Sequence, residues 1–262
     1  MSFKSAPPAL IASIKNLFRR ELLFFVCLAF TGATWAASDD PWLRALVKHD
    51  LPEIERLVAK GADVNRATED GYCALMLAAS EGHAVLVRTL LDRGAPINAA
   101  NDRGGTALMY SSTAGDLPTV ELLLARGASV NARAANGWTA LSLAAARGFE
   151  GVVATLLAHD ADPNIADIYG WTPLMRAVEQ NRPPVVRVLL AAKRVNTNAR
   201  DENGHSALHH AAVQGFTEIA RLLLEHGADV QVRDRAGRTP AMLATAQGHR
   251  AIVELINRAT IN

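Results

Sequence analysis

The sequence predicts an all-α solenoid of stacked helix-turn-helix units joined by hairpin loops, about seven helix pairs long. Three observations predict it. One glycine recurs at Gly71, Gly104, Gly137, Gly170, Gly204 and Gly237, at spacings of 33, 33, 33, 34 and 33 residues. A second set stands at Gly82, Gly115, Gly148, Gly215 and Gly248. Between one unit and the next runs an apolar segment: Val87–Leu91, Val120–Leu124, Val153–Leu157, Val186–Leu190 and Ile219–Leu223. A unit of this size cannot hide its apolar face alone, so it must stack on neighbours.

Each element of the unit follows from its residues. Thr106, Thr139, Thr172, Ser206 and Thr239 precede the first helix, where a hydroxyl can accept from an orphan backbone N–H. Pro173 and Pro240 suit its first turn. Ala78-Ala79, Ala144-Ala145 and Ala211-Ala212 let two helices approach closely, and the second glycine set ends the helix in a left-handed turn. The leucine-rich segment makes the second helix. Gly61-Ala-Asp-Val-Asn65, or a variant of it, closes each unit.

Gly137-Trp-Thr-Ala-Leu141, Gly170-Trp-Thr-Pro-Leu174, Gly204-His-Ser-Ala-Leu208 and Gly237-Arg-Thr-Pro240, with these closing motifs, resemble the ankyrin repeat. The resemblance runs from about residue 41 to the C-terminus. It implies an ankyrin-repeat solenoid, read here as residues 38–262. An N-terminal cap at 41–70 and a C-terminal cap at 237–262 enclose five internal repeats at 71–236. The caps are expected because the pair Pro41–Lys48 and Glu53–Val58 lacks the Thr-Pro-Leu start, and no hairpin follows Arg258.

Some positions depart from the pattern. Asn181-Arg-Pro-Pro184 replaces the glycine turn of the fourth repeat, and Ala192-Lys-Arg-Val-Asn196 replaces Gly-Ala-Asp with one extra residue. Met76, Met109, Met175 and Met242 share one repeat position, which is expected to be packing beneath the hairpin. Cys73 takes the usual threonine position as a small packing residue.

The first 37 residues read as an address rather than as structure. Lys4, Lys15, Arg19 and Arg20 precede the apolar run Leu22–Phe30, and small residues then lead to Asp39-Asp40. That is the order of a secretory signal peptide, residues 1–37, with cleavage favoured after Ala36. Arg19-Arg20-Glu21-Leu22-Leu23 resembles the twin-arginine pattern, although Phe18 stands where a polar residue is usual. The uncharged stretch Leu22–Ala37 falls short of the roughly 20 residues that span a bilayer, so membrane contact is expected only through an uncleaved signal. This reading places the chain in the bacterial periplasm.

Composition narrows the chemistry. The formal net charge is +1, and without those four N-terminal bases and Glu21 the remainder holds 23 basic against 25 acidic residues. This is not the basic balance of a nucleic-acid binder. Removal of the signal takes Cys27 with it and leaves Cys73 alone, so no internal disulfide is expected. No phosphate loop, nucleophile elbow or zinc-protease helix occurs. His205 and His209 are four apart and could share a metal, but no third ligand is evident in the sequence. Neither cofactor nor metal is therefore expected, and the chain is read as a non-enzyme that is monomeric when free.

The resemblance implies that a protein partner docks on the concave face, built from hairpin tips and the exposed side of each first helix. On it are expected Tyr72, Trp138, Trp171, His205 and Arg238, which follow the recurrent glycine. Ile168 and Tyr169 flank this row on one tip, and Arg133 lies on the tip before. Aromatic and arginine residues clustered in this way match the composition of binding hot spots. The function expected is an adaptor or regulator of an envelope protein. The alternative is an immunity protein that neutralises a toxin delivered to the periplasm.

Overall fold

The computed structural model describes residues 40–261. Residues 1–37, read above as a signal peptide, lie outside the described residues. Fourteen helices and no strands are found among the described residues. They pair as α1 (Pro41–Lys48) with α2 (Leu51–Ala59), α3 (Ala74–Ser80) with α4 (Ala84–Asp92), and α5 (Ala107–Ala114) with α6 (Leu117–Ala125). Next come α7 (Ala140–Arg147) with α8 (Glu150–Ala158), and α9 (Pro173–Glu179) with α10 (Pro183–Leu190). The last pairs are α11 (Ala207–Gln214) with α12 (Thr217–Glu225), and α13 (Pro240–Ala246) with α14 (Arg250–Ile261). None of these helices is long and apolar enough to cross a membrane.

From α3 onward, successive first helices pack on one another, and the second helices form a parallel layer behind them. The alanine pairs sit in the first layer: Ala78, Ala79, Ala144, Ala145, Ala211 and Ala212 are all fully buried. The leucine segments face inward in the second layer, with Leu90, Leu123, Leu156, Leu189 and Leu223 sealed from solvent. The result is one continuous apolar core along the stack.

The caps act as their residue types predict. The hydroxyls of Thr106, Thr139, Thr172 and Thr239 accept from the backbone N–H three residues on. Cys73 stands at the corresponding place without a side-chain cap bond. It is buried, and burial pushes its thiol pKa up, which suits packing rather than reactivity.

The fourth repeat solves its missing glycine locally. Asn181 takes φ +50° where the other repeats have glycine, and asparagine tolerates this region better than most side chains. Asp160 does the same at φ +64° in the closing loop of the preceding repeat. The 34-residue spacing leaves no positive-φ residue between Leu190 and Asn196. In place of the left-handed turn stand two successive turns, closed by Ala192 N to Leu189 O at 3.1 Å and Val195 N to Ala192 O at 3.2 Å.

The recurrent hairpin glycine has two reasons to be glycine. Gly137 sits at φ +82°, and a Cβ there would lie 2.8 Å from Asp167 Cα of the next hairpin. Hairpins therefore stack backbone on backbone. Neighbouring tips are joined by five hydrogen bonds: Asp102 N to Asp70 O, Ala135 N to Arg103 O, Ile168 N to Asn136 O, Glu202 N to Tyr169 O, and Arg235 N to Asn203 O, at 2.8–3.2 Å.

Met76, Met109 and Met175 are fully buried beneath the hairpins, as expected. Met242, in the last described helix pair, is 52% exposed.

Candidate functional site

The hairpins are built around a carboxylate or amide three residues before the recurrent glycine. Asp167 Oδ1 accepts from Tyr169 N and Trp171 N, Asp201 Oδ1 from Asn203 N and His205 N, and Asp234 Oδ1 from Ala236 N and Arg238 N. Asn101 does the same for Arg103 and Gly105. The side chain thus replaces backbone partners inside a tight loop.

The second side-chain oxygen or nitrogen of this residue reaches the first helix. Asn101 Nδ2 donates to Tyr110 Oη at 2.8 Å, Arg176 donates to Asp167, and His210 Nε2 lies 3.0 Å from Asp201 Oδ2. The equivalent pair in the third repeat is Ala134 with Leu143, both buried. In these four repeats hairpin and helix are matched, polar with polar and apolar with apolar; Asp234, opposite Leu243, is bonded to Arg238 Nε instead. These partners were not anticipated. Their signal was present in three hairpins: the residue nine positions after the carboxylate or amide can complement it, in Asn101/Tyr110, Asp167/Arg176 and Asp201/His210, whereas Leu243 stands at that place after Asp234.

Trp138 and Trp171 lie in this layer rather than on the surface. They are 3% and 7% exposed, so the expectation of an exposed tryptophan ladder is corrected. Each covers a helix residue of the following repeat. The Arg176 guanidinium sits 4.4 Å from the Trp138 ring centroid and 4.8 Å from that of Trp171, and Trp171 packs on His210 at 4.3 Å. Tyr72 and Tyr110 repeat the arrangement edge to face at 5.5 Å. At these positions large flat side chains fill the seam where two repeats meet. Arg176 and Asp167 are only 3% and 2% exposed, so their charges are paired and desolvated together.

His209 is committed to structure. Its Nδ1 accepts from Ser206 N at 3.1 Å, which leaves Nε2–H to donate to the Arg238 carbonyl at 3.1 Å. Burial pushes its pKa down to about 4. His205 instead stands between two carboxylates, with Nδ1 3.8 Å from Asp201 Oδ2 and Nε2 3.3 Å from Asp234 Oδ2. Burial lowers its pKa, and the neighbouring His210 adds to that. Burial, the largest single effect, would raise the Asp201 carboxyl, but the hydrogen bond and charge of His210 and those of His205 together outweigh it and the net shift is down. Asp234 also ends below its ordinary range, because Arg238, whose backbone N–H and guanidinium both bond it, overcomes burial.

What remains exposed is the row of tips. Ile168 is 59% exposed at the tip of the fourth hairpin, with the half-buried Tyr169 beside it. Arg133 is exposed on the preceding tip and donates to Ala166 O at 2.9 Å, which aims it along the stack. The Arg238 side chain is half exposed and tied to Asp234 at 2.7 Å. Tyr72 and His205 are partly buried, with only part of each ring available. Of the expected row, the structure brings Arg133, Ile168 and Tyr169 together at the surface and sinks the two tryptophans beneath it.

This geometry defines a class: a stacked-repeat scaffold whose loop tips are joined backbone to backbone in a row. Comparison with known proteins gives the family. The description "Ankyrin repeats (3 copies)" matches residues 42–134, 130–201 and 190–262, and the chain belongs to the ankyrin-repeat family. Ankyrin repeats are protein–protein interaction modules.

The chain is similar to the crystal structure of the Bcl-3 ankyrin repeat domain, with 29% identity, 84% of this chain and 99% of that one covered, and a TM-score of 0.71. An ankyrin repeat domain from Acinetobacter baumannii shares 32% identity over 71% of this chain and 97% of that chain, at a TM-score of 0.67. Among curated proteins, the potassium channel AKT1 of Oryza sativa is 51% identical over 55 residues, 21% of this chain. Human ankyrin repeat domain-containing protein 63 is 39% identical over 62 residues, 24% of this chain. These matches span 6% and 16% of the lengths of those two proteins.

Proposed function

We propose that this chain is an exported adaptor or regulator that holds a periplasmic or envelope protein on its hairpin tips. The observation that carries the reading is Ile168. It is a large apolar side chain, 59% exposed on a tip whose backbone is bonded to the tips on both sides. A rigid apolar projection flanked by Tyr169 and Arg133 loses little conformational freedom when a partner covers it. Support for export comes from the order of basic, apolar and small residues in the first 37 positions.

The test uses the full-length chain with a C-terminal tag, expressed in its producing cell. The reading predicts a product beginning after Ala36 in the envelope fraction. A full-length chain confined to the cytosol overturns export. Capture from that fraction then compares the wild type with an Ile168→Glu, Tyr169→Ala variant of equal thermal stability. A protein retained by the wild type and lost by the variant supports the site. Equal retention overturns it. The identity of the captured protein separates an assisted enzyme from a neutralised toxin.

A further inference from the structure

We propose that Asp201, His205 and His210 form a zinc-binding site, with Asp234 as the residue that orients His205. The three side chains each place a ligand atom within 4.8 Å of the other two. A zinc ion with nitrogen and oxygen ligands at about 2.0–2.1 Å in tetrahedral geometry needs ligand atoms roughly 3.3 Å apart. Asp201 Oδ2 lies 3.0 Å from His210 Nε2 and 3.8 Å from His205 Nδ1, distances that bracket that edge. Small rotations of two rings complete the set.

The surroundings are those of a ligand site rather than of a plain hairpin lock. Asp167 and Asn101 bind their helix partners with no histidine at the position after the glycine. Here His205 adds a third donor, and its far nitrogen faces Asp234 Oδ2 at 3.3 Å. A carboxylate behind a ligating imidazole fixes the ring and the tautomer. Asp201 is held in turn by the backbone N–H groups of Asn203 and His205 on its other oxygen.

The charge also fits. Two carboxylates and the Arg238 guanidinium leave one negative charge when the histidines are neutral, so a dication is not repelled. When the ion enters, it takes the place of the hydrogen between His210 Nε2 and Asp201 Oδ2, and that hydrogen moves to His210 Nδ1. The His205 side chain is 22% exposed, which gives the ion a way in and leaves the fourth position to water. Three protein ligands and an open position describe an exchangeable site.

The test is a titration of the purified, chelator-treated full-length protein with zinc chloride at neutral pH, followed by calorimetry. One ion per chain is expected. His205→Ala should weaken the binding by more than about a hundredfold. Asp234→Asn, which keeps the hairpin acceptor, should weaken it about ten- to a hundredfold. X-ray absorption of the zinc-loaded protein should show two imidazoles and oxygen ligands. Thermal unfolding of the metal-free variants verifies that the repeats remain stacked. The proposal is overturned if the wild type takes up no zinc, or if His205→Ala binds it as tightly as the wild type, which would mean an adventitious ion on other surface histidines only.

Discussion

The buried Asp167–Arg176 pair shows how much a single pair of residues does in this molecule. Removing one partner strands a charge between two tryptophans, so Asp167→Ala should destabilise the fold by about 3–5 kcal/mol. The protein supplies its own control, since Ala134 and Leu143 occupy the same two places one repeat earlier. The double variant Asp167→Ala, Arg176→Leu should therefore recover most of that loss in chemical denaturation. A double variant as unstable as the single one would contradict the matched-pair account. The tyrosines add a pH prediction. Burial pushes the Tyr110 pKa up to about 12 and raises that of Tyr72 as well. The unfolded chain loses these phenol protons first, near pH 10. Stability from the protonated phenols is thus complete below about pH 10 and is lost as pH rises through about 12. Unfolding measured across that range should show a shallower fall for Tyr110→Phe.

Repeat elements are tied together by a residue whose place, but not whose work, was visible in the sequence. The asparagine of the closing motif bridges to the next loop. Asn164 Oδ1 accepts from Asn196 N at 2.7 Å and its Nδ2 donates to Arg194 O at 2.7 Å, and Asn131 and Asn198 repeat both bonds one repeat on either side. Asn164→Ala should cost about 1–2 kcal/mol, read as a lower denaturation midpoint, because two backbone groups lose their partner. The helix order and the hydroxyl helix caps were legible because they depend on local rules of spacing, capping and glycine turns. The depth of Trp138 and Trp171 was not, because it depends on what the next repeat places above them. An aromatic after the hairpin glycine looks exposed within its own unit and is covered only once Arg176 or His210 arrives. The same reason hid the Asp201–His205–His210 grouping: helical spacing suggested His205 with His209, whereas the hairpin turns His205 toward Asp201 and leaves His209 to the backbone.

At the scale of the whole molecule, each repeat contacts its neighbours, so stability propagates along the stack and the surface inherits the rigidity of the core. The tryptophans, the ion pair and the tip-to-tip hydrogen bonds lie under one stretch of surface, and above them stand Arg133, Ile168 and Tyr169. Trp138→Ala should accordingly cost about 3–5 kcal/mol of stability, and any loss of binding in it would report unfolding rather than contact. The measurement that tests the central claim most directly is the affinity of the captured partner for a series of folded variants. Ile168→Glu and Tyr169→Ala are set against Arg221→Ala, an exposed residue on α12 in the second-helix layer. The account predicts a loss of about thirtyfold at the tip positions and none at Arg221. An unchanged affinity at the tips, with loss at Arg221, would place the partner on the other layer and contradict the account.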